Sequence, residues 1–474
     1  MRVLLISMPD SVSAFDHLVT FPNTGLCSIA GNLIDCEVRV LDLVACRNRI
    51  TKTILGQVST FRPELVGLSA MTFQYNSAMK VARIVRDWNP EVPIVLGGYH
   101  GSLLHEEIGL SPEAGLFDFL IRGEGELSLA RLTQALEKGE EDLADVPGLS
   151  FRKNGKFVHN PIGPLADLKV IQRPDRQARV YNDFIFFGLP FDCIETSRGC
   201  VMNCRFCSIT EMYGRSFRKF PLERVLAEID DLRLRGKKGI FFVDDNITLD
   251  VRWLRTLCEA IIGEGLHHMH YIMQASVDGL HSDLSLAKLL AEAGFRLVFL
   301  GIESGDQRTL DTLKKGYSVS KTRAVVSGLH DQGIVATGGF IVGNPDDRPE
   351  DIQGVFCFAG EIGLDHVILQ CLTPYPKTEI RESLKKHGLI TNLHDFQHYN
   401  GFIANVKTRY MSSLQLAREM VKAGVRYYNN PRWMLGSSLW RYASSSSLIH
   451  FLLVNLKFIC TGWRNRMFRS THRF

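Results

Sequence analysis

The chain has 474 residues and a formal net charge of +4, and 45% of its residues are hydrophobic while 22% are charged. This length exceeds the size at which one hydrophobic core stops growing, so it predicts two or three domains. The balanced composition argues against a disordered chain and against a protein that coats nucleic acid.

The first residues, Met1 to Ser7, form a short apolar run without the small-residue cleavage site of a signal peptide, and they predict a buried strand. The chain contains eleven cysteines, three of them within eight residues, which is too sparse for a disulfide scaffold. Clustered thiols of this kind are typical of metal ligation in a reducing compartment, so we expect a cytoplasmic protein.

Between Met1 and about Leu136, short β-branched runs alternate with amphipathic stretches such as Ser77 to Trp88. This alternation is typical of a parallel sheet with helices on both faces. We therefore predict an α/β, doubly wound (Rossmann-like) domain over residues 1–140. Its predicted strands are Val3–Ile6, Glu37–Leu41, Leu65–Ser69, Ile94–Gly97 and Phe119–Arg122.

The next segment, residues 141–185, contains scattered prolines and the sequence Lys153-Asn154-Gly155-Lys156. Proline interrupts regular strands and helices, and Asn-Gly favours a tight hairpin turn. We predict a connector that includes one hairpin.

The alternation of strands and helices resumes after the connector. Six strand-helix units in this region predict a partial (β/α)6 TIM-like barrel over residues 186–385. Its predicted strands are Cys193–Thr196, Gly239–Val243, His270–Gln274, Leu297–Gly301, Ala336–Val342 and His366–Gln370.

After the barrel, the stretch Ser412 to Tyr427 predicts an amphipathic helix, and we expect a small α-helical region over residues 386–474. The tail from Pro431 to Phe474 contains seven Arg or Lys residues, no acid and three of the five tryptophans. Its apolar run, Leu448 to Cys460, is shorter than the roughly 20 residues that span a bilayer. The tail is either an interfacial anchor in peripheral contact with the inner face of the membrane or a helical cap on the barrel.

Three cysteines, Cys200, Cys204 and Cys207, follow the first barrel strand with spacings of three and two residues. A structural zinc takes four ligands, whereas a [4Fe-4S] cluster held by three thiolates leaves one iron open. The three thiols therefore favour such a cluster. Two alternatives stay open: a zinc site with Cys193 as fourth ligand, and thiols that are neighbours by chance.

This motif resembles that of the radical S-adenosylmethionine (SAM) superfamily, whose pattern is C-x3-C-x-aromatic-C, with Phe206 in the aromatic place. The resemblance implies that the open iron binds the amino and carboxylate groups of SAM and reduces it. The products are methionine and a 5′-deoxyadenosyl radical. It also implies an electron donor of the flavodoxin or ferredoxin type.

Polar residues end two further barrel strands, where a site built from βα loops would place them. Asp244 and Asp245 end the second strand, at a position that in the superfamily helps to hold the SAM ammonium group. Glu303 and Ser304 end the fourth strand and resemble the segment that contacts the ribose and carboxylate of SAM. For each acid, the alternative is a helix cap or a first-turn charge.

Radical SAM proteins with a doubly wound domain in front commonly belong to the cobalamin-dependent (class B) group. Ser69, Thr72, Gly97 and Gly98 follow the third and fourth strands, at carboxyl ends where open α/β sheets bind ligands. The resemblance implies that they contact cobalamin, and the alternative is a plain Rossmann-like domain whose glycines serve turns. The adjacent pair Asp16-His17 lacks the Asp-x-His-x-x-Gly spacing, so we expect no histidine ligand to cobalt from this chain.

Together these resemblances imply a methyltransferase in which the adenosyl radical takes a hydrogen atom from an unactivated carbon and the substrate radical takes methyl from methylcobalamin. A second SAM would then remethylate the cofactor. A tail lying on a membrane favours an apolar substrate, and the stretches Met8-Pro9-Asp10 and Phe21 to Leu26 resemble the hopanoid C-3 methylase group, so a hopanoid-type lipid is expected. The alternatives are a radical SAM cyclase of tetrapyrrole synthesis and a non-catalytic metal or cobalamin sensor. No nucleic-acid partner is expected.

Overall fold

The computed structural model describes residues 1–10, 20–186 and 188–428, and the structural statements below refer to these residues. The pair Asp16-His17 and the basic, tryptophan-rich tail lie outside the described residues, so the expectations attached to them stay predictions. Within the described ranges, no helix is both long and apolar enough to cross a lipid bilayer.

A seven-stranded sheet forms the front of the chain, in the order β2-β1-β3-β4-β5-β6-β7. Strands β1 to β5 are parallel, and β6 and β7 are antiparallel additions at one edge. The five predicted strands all occur. The strands are β1 (Arg2–Ser7), β2 (Glu37–Asp42), β3 (Leu65–Ser69), β4 (Ile94–Gly97), β5 (Phe119–Ile121), β6 (Leu149–Lys153) and β7 (Lys156–His159).

Helices cover both faces of this front sheet because side chains alternate across each strand. Leu4 and Ile6 of β1 belong to a core with α2 and α3, whereas Val3 and Leu5 belong to a core with α1 and α6. This arrangement confirms the doubly wound prediction. The helices are α1 (Thr24–Asn32), α2 (Ile50–Phe61), α3 (Tyr75–Trp88), α4 (Gly98–Leu103), α5 (His105–Leu110) and α6 (Glu126–Lys138).

The predicted Asn-Gly hairpin is present, and it lies in an unexpected place. Asn154 and Gly155 have φ of 52° and 79°, the left-handed conformation that a two-residue hairpin turn requires. Its strands, β6 and β7, extend the front sheet beside β5. The segment predicted as a connector therefore contributes residues 149–159 to the front sheet, because an antiparallel hairpin can pair with the exposed edge of β5.

The second sheet has the order β16-β15-β14-β13-β12-β9-β8, with six parallel strands and β8 antiparallel at the edge. The order ends at β8 and β16, so the sheet is a half barrel, which confirms the predicted partial barrel. Its strands are β8 (Ile185–Phe186), β9 (Leu189–Ile194), β12 (Gly239–Phe242), β13 (His270–Ser276), β14 (Phe295–Glu303), β15 (Val335–Val342) and β16 (His366–Cys371), and a separate two-stranded ladder joins β10 (Ser197–Arg198) to β11 (Arg218–Lys219).

The two faces of the half barrel have different partners. Ile240 and Phe242 of β12 pack outward into the main core with the helices, whereas Phe241 and Val243 face the other side. We call this second set the inner face, and it consists of Phe186, Phe191, Cys193, Phe241, Val243, Ile272 and Leu297. The helices of this part of the chain are α7 (Ile209–Tyr213), α8 (Leu222–Leu234), α9 (Val251–Gly263), α10 (Val277–His281), α11 (Leu286–Ala293), α12 (Gln307–Thr312), α13 (Ser320–Asp331), α14 (Pro349–Glu361), α15 (Glu379–Lys386) and α16 (Ser413–Tyr428).

Aromatic contacts are among those that join the front sheet to the half barrel. The ring of Phe21, which precedes α1, lies 5.4 Å from the ring of Phe241 on the inner face. The ring of Phe396, which follows α15, lies 5.3 Å from the ring of His100 in α4. The chain after the barrel thus returns to the front sheet before it forms α16.

Candidate functional site

The three cysteines of the motif lie in one loop, between β10 and α7, and each of them is half-buried. Burial, together with smaller effects of negative charge on Cys204 and Cys200, raises the pKa of the Cys207 thiol to about 12. Such mutually repelling sulfur donors suit a cationic iron-sulfur core, in which each cysteine binds a different iron. In the described residues, no three His, Cys, Asp or Glu side chains are close enough to share a single metal ion.

Cys193, the candidate fourth ligand of a zinc site, is not available to the loop. It lies within β9, is 1% exposed, and packs with Phe191 and Ile272 on the inner face. Burial raises the pKa of its thiol, so it is held neutral in apolar surroundings. The zinc alternative therefore loses its proposed fourth donor.

Gly199 fixes the start of the cysteine loop. Its φ is +85°, and a Cβ at this position would lie 2.4 Å from the backbone oxygen of Ser216. Its N–H donates to Oδ2 of Asp245 at 2.8 Å. A glycine is thus required both by backbone conformation and by the close approach of the two ends of the loop.

The carboxylate of Asp244 is hydrogen-bonded to the segment that precedes the cysteine loop. It is 1% exposed, and its carboxylate accepts hydrogen bonds from the Thr196 N–H, from Thr196 Oγ1 at 2.7 Å and from Ser197 Oγ. Burial raises the pKa of Asp244 to about 6, although these donors lower it. Neither Asp244 nor Asp245 caps a helix, because α9 is capped by Asp250. A SAM contact stays a prediction for both residues, and Asp244 already anchors the loop.

Replacing Asp244 with Ala is expected to lower the free energy of unfolding by about 2–4 kcal/mol, because the Thr196 and Ser197 donors would be left buried and unpaired. Urea unfolding of the apoprotein measures this loss. Asp331→Ala, at the exposed end of α13, is the matched control and should change stability by less than about 0.5 kcal/mol. Equal stability of the two variants would contradict the anchoring role.

Glu303 lies at a bulge of β14 with φ of +66°, and Nζ of Lys315 donates to its Oε1 at 3.0 Å. Although burial opposes it, the charges of Glu303 and of Cys204 raise the pKa of Lys315, which keeps this ammonium charged beside the loop. Asp306 caps α12, so the capping alternative for Glu303 is wrong. Ser304 accepts a hydrogen bond from the Asp306 N–H at 3.0 Å. Sequence reasoning missed Lys315. Its position in the short segment after α12 is the only feature of the sequence that could have indicated it.

The predicted cobalamin contacts lie along the carboxyl edge of the front sheet, where Ser7, Ser69 and Gly97 stand abreast on neighbouring strands. A Cβ on Gly97 would meet no atom closer than 3.9 Å, so the fold does not require glycine there and leaves a cradle beside the edge. Gly98 differs, because its φ is +88° and a Cβ would lie 2.7 Å from the oxygen of Ala70. The positive φ and the close approach of Ala70 thus account for a glycine at position 98.

A polar group that sequence reasoning missed lies at the same edge. Thr24, in the first turn of α1, is 7% exposed, and its hydroxyl has no hydrogen-bond partner in the described residues. The neighbouring Asn23 N–H donates to Asp42 at the end of β2. Thr72 is buried in a short 3-10 helix after β3. An orphaned hydroxyl at a strand edge, together with the Gly97 cradle, fits a polar cofactor.

The front sheet and the cysteine loop meet directly. Helix α4 contacts α7, which follows the cysteine loop. Burial raises the pKa of Tyr99 in α4, and the charges of Tyr213, Asp245 and Cys207 add to this effect. The carboxyl edge of the front sheet and the loop at the mouth of the half barrel therefore border the same space.

Two arginines and two glutamates close this junction. Arg198, two residues before Cys200, donates to Glu124 at 3.0 Å and to Glu126 at 2.5 Å. Arg218 donates to both oxygens of Glu124, at 3.0 and 2.8 Å. Both glutamates follow β5, and Glu124 is 9% exposed. We call these four residues the junction network.

The junction network predicts a specific acid response. Although burial opposes it, Arg218 and Arg198 lower the pKa of Glu124 below its ordinary value of 4.5. A depressed carboxyl pKa contributes stability above the unfolded-state pKa and loses it as pH falls. Urea titrations between pH 3 and 7 should therefore show that the stability difference between wild type and Glu124→Gln shrinks on acidification. A difference independent of pH would contradict this.

Comparison with known proteins finds a matching family model for each half of the chain. Residues 194–359 match the model of the Radical SAM superfamily, and residues 18–133 match that of the B12 binding domain. An uncharacterised methyltransferase of Pyrococcus horikoshii, PH0819, is 30% identical over 92% of this chain and 94% of its own length. The anaerobic magnesium-protoporphyrin IX monomethyl ester cyclase of Rubrivivax gelatinosus is 27% identical over 80% of this chain and 68% of its own length. The hopanoid C-3 methylase of Methylococcus capsulatus is 29% identical over 72% and 64%.

Solved structures share the fold over most of the chain. The cobalamin-dependent S-adenosylmethionine radical enzyme OxsB, solved with aqua-cobalamin and S-adenosylmethionine bound, gives a TM-score of 0.72 at 18% identity and covers 95% of this chain and 72% of that chain. The radical S-adenosylmethionine methyltransferase TsrM of Kitasatospora setae gives 0.68 at 21% identity, over 82% of this chain and 79% of that chain. The chain therefore belongs to the cobalamin-dependent (class B) radical SAM enzymes.

Proposed function

We propose that this enzyme is a C-methyltransferase that uses a [4Fe-4S] cluster, SAM and cobalamin to methylate an unactivated carbon of an apolar substrate. The observation that carries the proposal is the contact between α4, which follows β4 of the front sheet, and α7, which follows the cysteine loop. It brings the edge of a B12-binding domain to the loop that bears the three thiols, as a reaction shared between two cofactors requires.

In this proposal, Cys200, Cys204 and Cys207 hold the cluster. Asp245, Glu303 and Ser304 border the SAM site, and Lys315 orients Glu303 through its 3.0 Å contact. Asp244 positions the cysteine loop and does not touch SAM in this proposal, because its carboxylate binds Thr196 and Ser197 ahead of the loop.

The cobalamin site of the proposal lies at the carboxyl edge of the front sheet. Ser69, Thr72, Gly97 and Gly98 line it, and Thr24 joins them as a hydrogen-bond donor from α1. The small residue at Gly97 lets the ligand approach the backbone.

When bound, the cluster and SAM supply the 5′-deoxyadenosyl radical that takes a hydrogen atom from the substrate, and methylcobalamin supplies the methyl group that the substrate radical takes. The protein's part is to hold the two cofactors at a fixed separation and to keep water from the radical. Reduction of the cluster requires an outside donor of the flavodoxin or ferredoxin type, and each turnover consumes two SAM molecules.

The inner face supports the choice of an apolar substrate. Phe241, Val243 and Leu297 are only partly buried there, and Phe21 packs on the same face from the front domain. Burying apolar substrate surface against such a wall gives about 25 cal/mol per Å². A hopanoid-type lipid is the substrate we favour, on the similarity to the hopanoid C-3 methylase. The tail from Pro431 would then be a peripheral membrane contact.

A cyclase reaction on a tetrapyrrole is the second candidate, favoured by the similarity to the magnesium-protoporphyrin monomethyl ester cyclase. A tetrapyrrole is also flat and apolar, so the inner face does not separate the two substrates. The mass of the product separates the reactions, because methyl transfer adds one carbon and two hydrogens whereas ring closure adds no carbon. Membership of an enzyme family disfavours the sensor alternative.

Anaerobic reconstitution tests the proposal. The protein is loaded with iron, sulfide and hydroxocobalamin, reduced with dithionite, and supplied with SAM and a lipid extract. Methyl-labelled SAM should give 5′-deoxyadenosine, S-adenosylhomocysteine and a labelled lipid. Formation of 5′-deoxyadenosine without label in any lipid would overturn the apolar methyltransferase and leave the cyclase to be tested on its porphyrin.

A further inference from the structure

The junction network joins the two parts of the chain that the proposed function assigns to different cofactors. Arg198 and Arg218 face each other across the ladder of β10 and β11, which closes the two ends of the cysteine loop. Glu124 binds both arginines, so one carboxylate of the front domain holds both ends of the loop.

Each member of the network is fixed by further partners. Glu124 also accepts from the Ala166 N–H at 2.9 Å, and Glu126 accepts from Ser28 Oγ at 2.7 Å. Nε of Arg198 donates to both oxygens of Glu195, at 2.9 and 3.0 Å. The network therefore has little freedom to rearrange.

Burial and geometry indicate what the network contributes. The side chains of Arg198, Glu124 and Glu126 are 6%, 9% and 5% exposed. Buried ion pairs add little net stability, because removing the charges from water offsets their attraction. Guanidinium-carboxylate pairs are, however, planar and directional, so they fix the relative position of the groups they join.

We propose that the junction network sets the separation and orientation between cobalamin and SAM, and that Glu124, Glu126, Arg198 and Arg218 are positioning residues for methyl transfer. The inference rests on the proposed function. A displacement of about 1 Å between reacting groups can cost about a hundredfold in rate. A loosened network would let the substrate radical form normally and then fail to meet the methyl group.

The test compares Glu124→Gln with wild type after loading with cluster and cobalamin. Glu124→Gln removes the charge that both arginines share. We expect it to bind both cofactors and to form 5′-deoxyadenosine, while the amount of 5′-deoxyadenosine per methylated product rises at least about tenfold. Glu124→Asp, which keeps the charge, should restore part of the coupling. Glu107→Gln, on the exposed face of α5, is the matched control and should leave the ratio unchanged.

A second readout does not depend on turnover. With cobalt(II) in the cobalamin and the cluster reduced, the magnetic coupling of the two centres falls steeply with their distance, and the EPR spectrum of Glu124→Gln should show weaker, broader splitting than that of wild type. An unchanged splitting and an unchanged product ratio would overturn the inference.

If Glu124→Gln does not fold, Arg218→Lys replaces it, because lysine keeps the charge and loses the paired contacts. An unchanged splitting and ratio in Arg218→Lys then overturn the inference. Failure of the wild type itself to cleave SAM would instead overturn the proposed function, so the two outcomes are distinguishable.

Discussion

Replacing Cys204 with Ala is expected to abolish the formation of 5′-deoxyadenosine. Two thiolates cannot hold a cubane with one open iron, and without that iron SAM is neither bound nor reduced. Burial raises the pKa of the Cys204 thiol, and the charges of Lys315 and Glu303 also act on it. The alanine variant therefore removes a buried sulfur ligand from the interior of the site. The measurement is anaerobic incubation with dithionite and SAM, followed by quantification of the nucleoside and of iron.

Cys357→Ala is the control for this variant, because Cys357 is exposed on α14 and lies outside the loop. It should reconstitute like wild type. Persistent 5′-deoxyadenosine in Cys204→Ala, at the iron content of wild type, would show that the thiol has no part in the chemistry. The assignment of the three cysteines would then be wrong.

The second large effect is expected from Gly199→Ala. Placing a side chain in the left-handed region costs about 1–2 kcal/mol, and the new Cβ would also overlap the Ser216 oxygen at 2.4 Å. The loop can relieve the overlap only by moving Gly199 away from Ser216, and such a movement would disturb the hydrogen bond from the Gly199 N–H to Asp245. We expect the variant to fold and to lose most of its bound iron after reconstitution.

Gly328→Ala provides the comparison for the glycine change. Gly328 lies within α13, and a Cβ there would meet nothing within 4 Å. Alanine in a helix interior is more stable than glycine by roughly 0.5–1 kcal/mol, so this variant should be as stable as wild type or more so, with full iron content. Equal iron content in Gly199→Ala and Gly328→Ala would contradict the role given to Gly199.

The fold could be predicted from the sequence because its strands are buried on both faces. Parallel strands covered by helices appear as short, continuous apolar runs, as in β1 and β15, and their length separates them from the amphipathic helices between them. The hairpin at Asn154-Gly155 was also predictable from its turn residues. Its pairing with β5 was not, because partner strands are chosen by tertiary packing that local sequence does not encode.

The site was predictable only in part, for a related reason. Cys200, Cys204 and Cys207 share one loop, so their spacing reveals them. Lys315 and Thr24 come from separate segments, and only the folded chain places them near Glu303 and the front edge. Asp244 shows the reverse difficulty, because an acid at a strand end can equally bind a ligand or fix a neighbouring backbone.

The path of the connector along the front sheet affects how the protein unfolds. Val40 of β2 exchanges backbone hydrogen bonds with the connector, accepting from the Val180 N–H at 2.9 Å and donating to the Ala178 oxygen at 2.8 Å. Between them, Arg179 sends its guanidinium to Asp192 of β9 at 2.6 Å. The tripeptide of residues 178–180 thus covers the edge strand β2 of the front sheet and also forms an ion pair with a strand of the second sheet. Neither half can melt without exposing a ladder or a buried charge of the other, so heating should give one cooperative transition where two separate modules would give two.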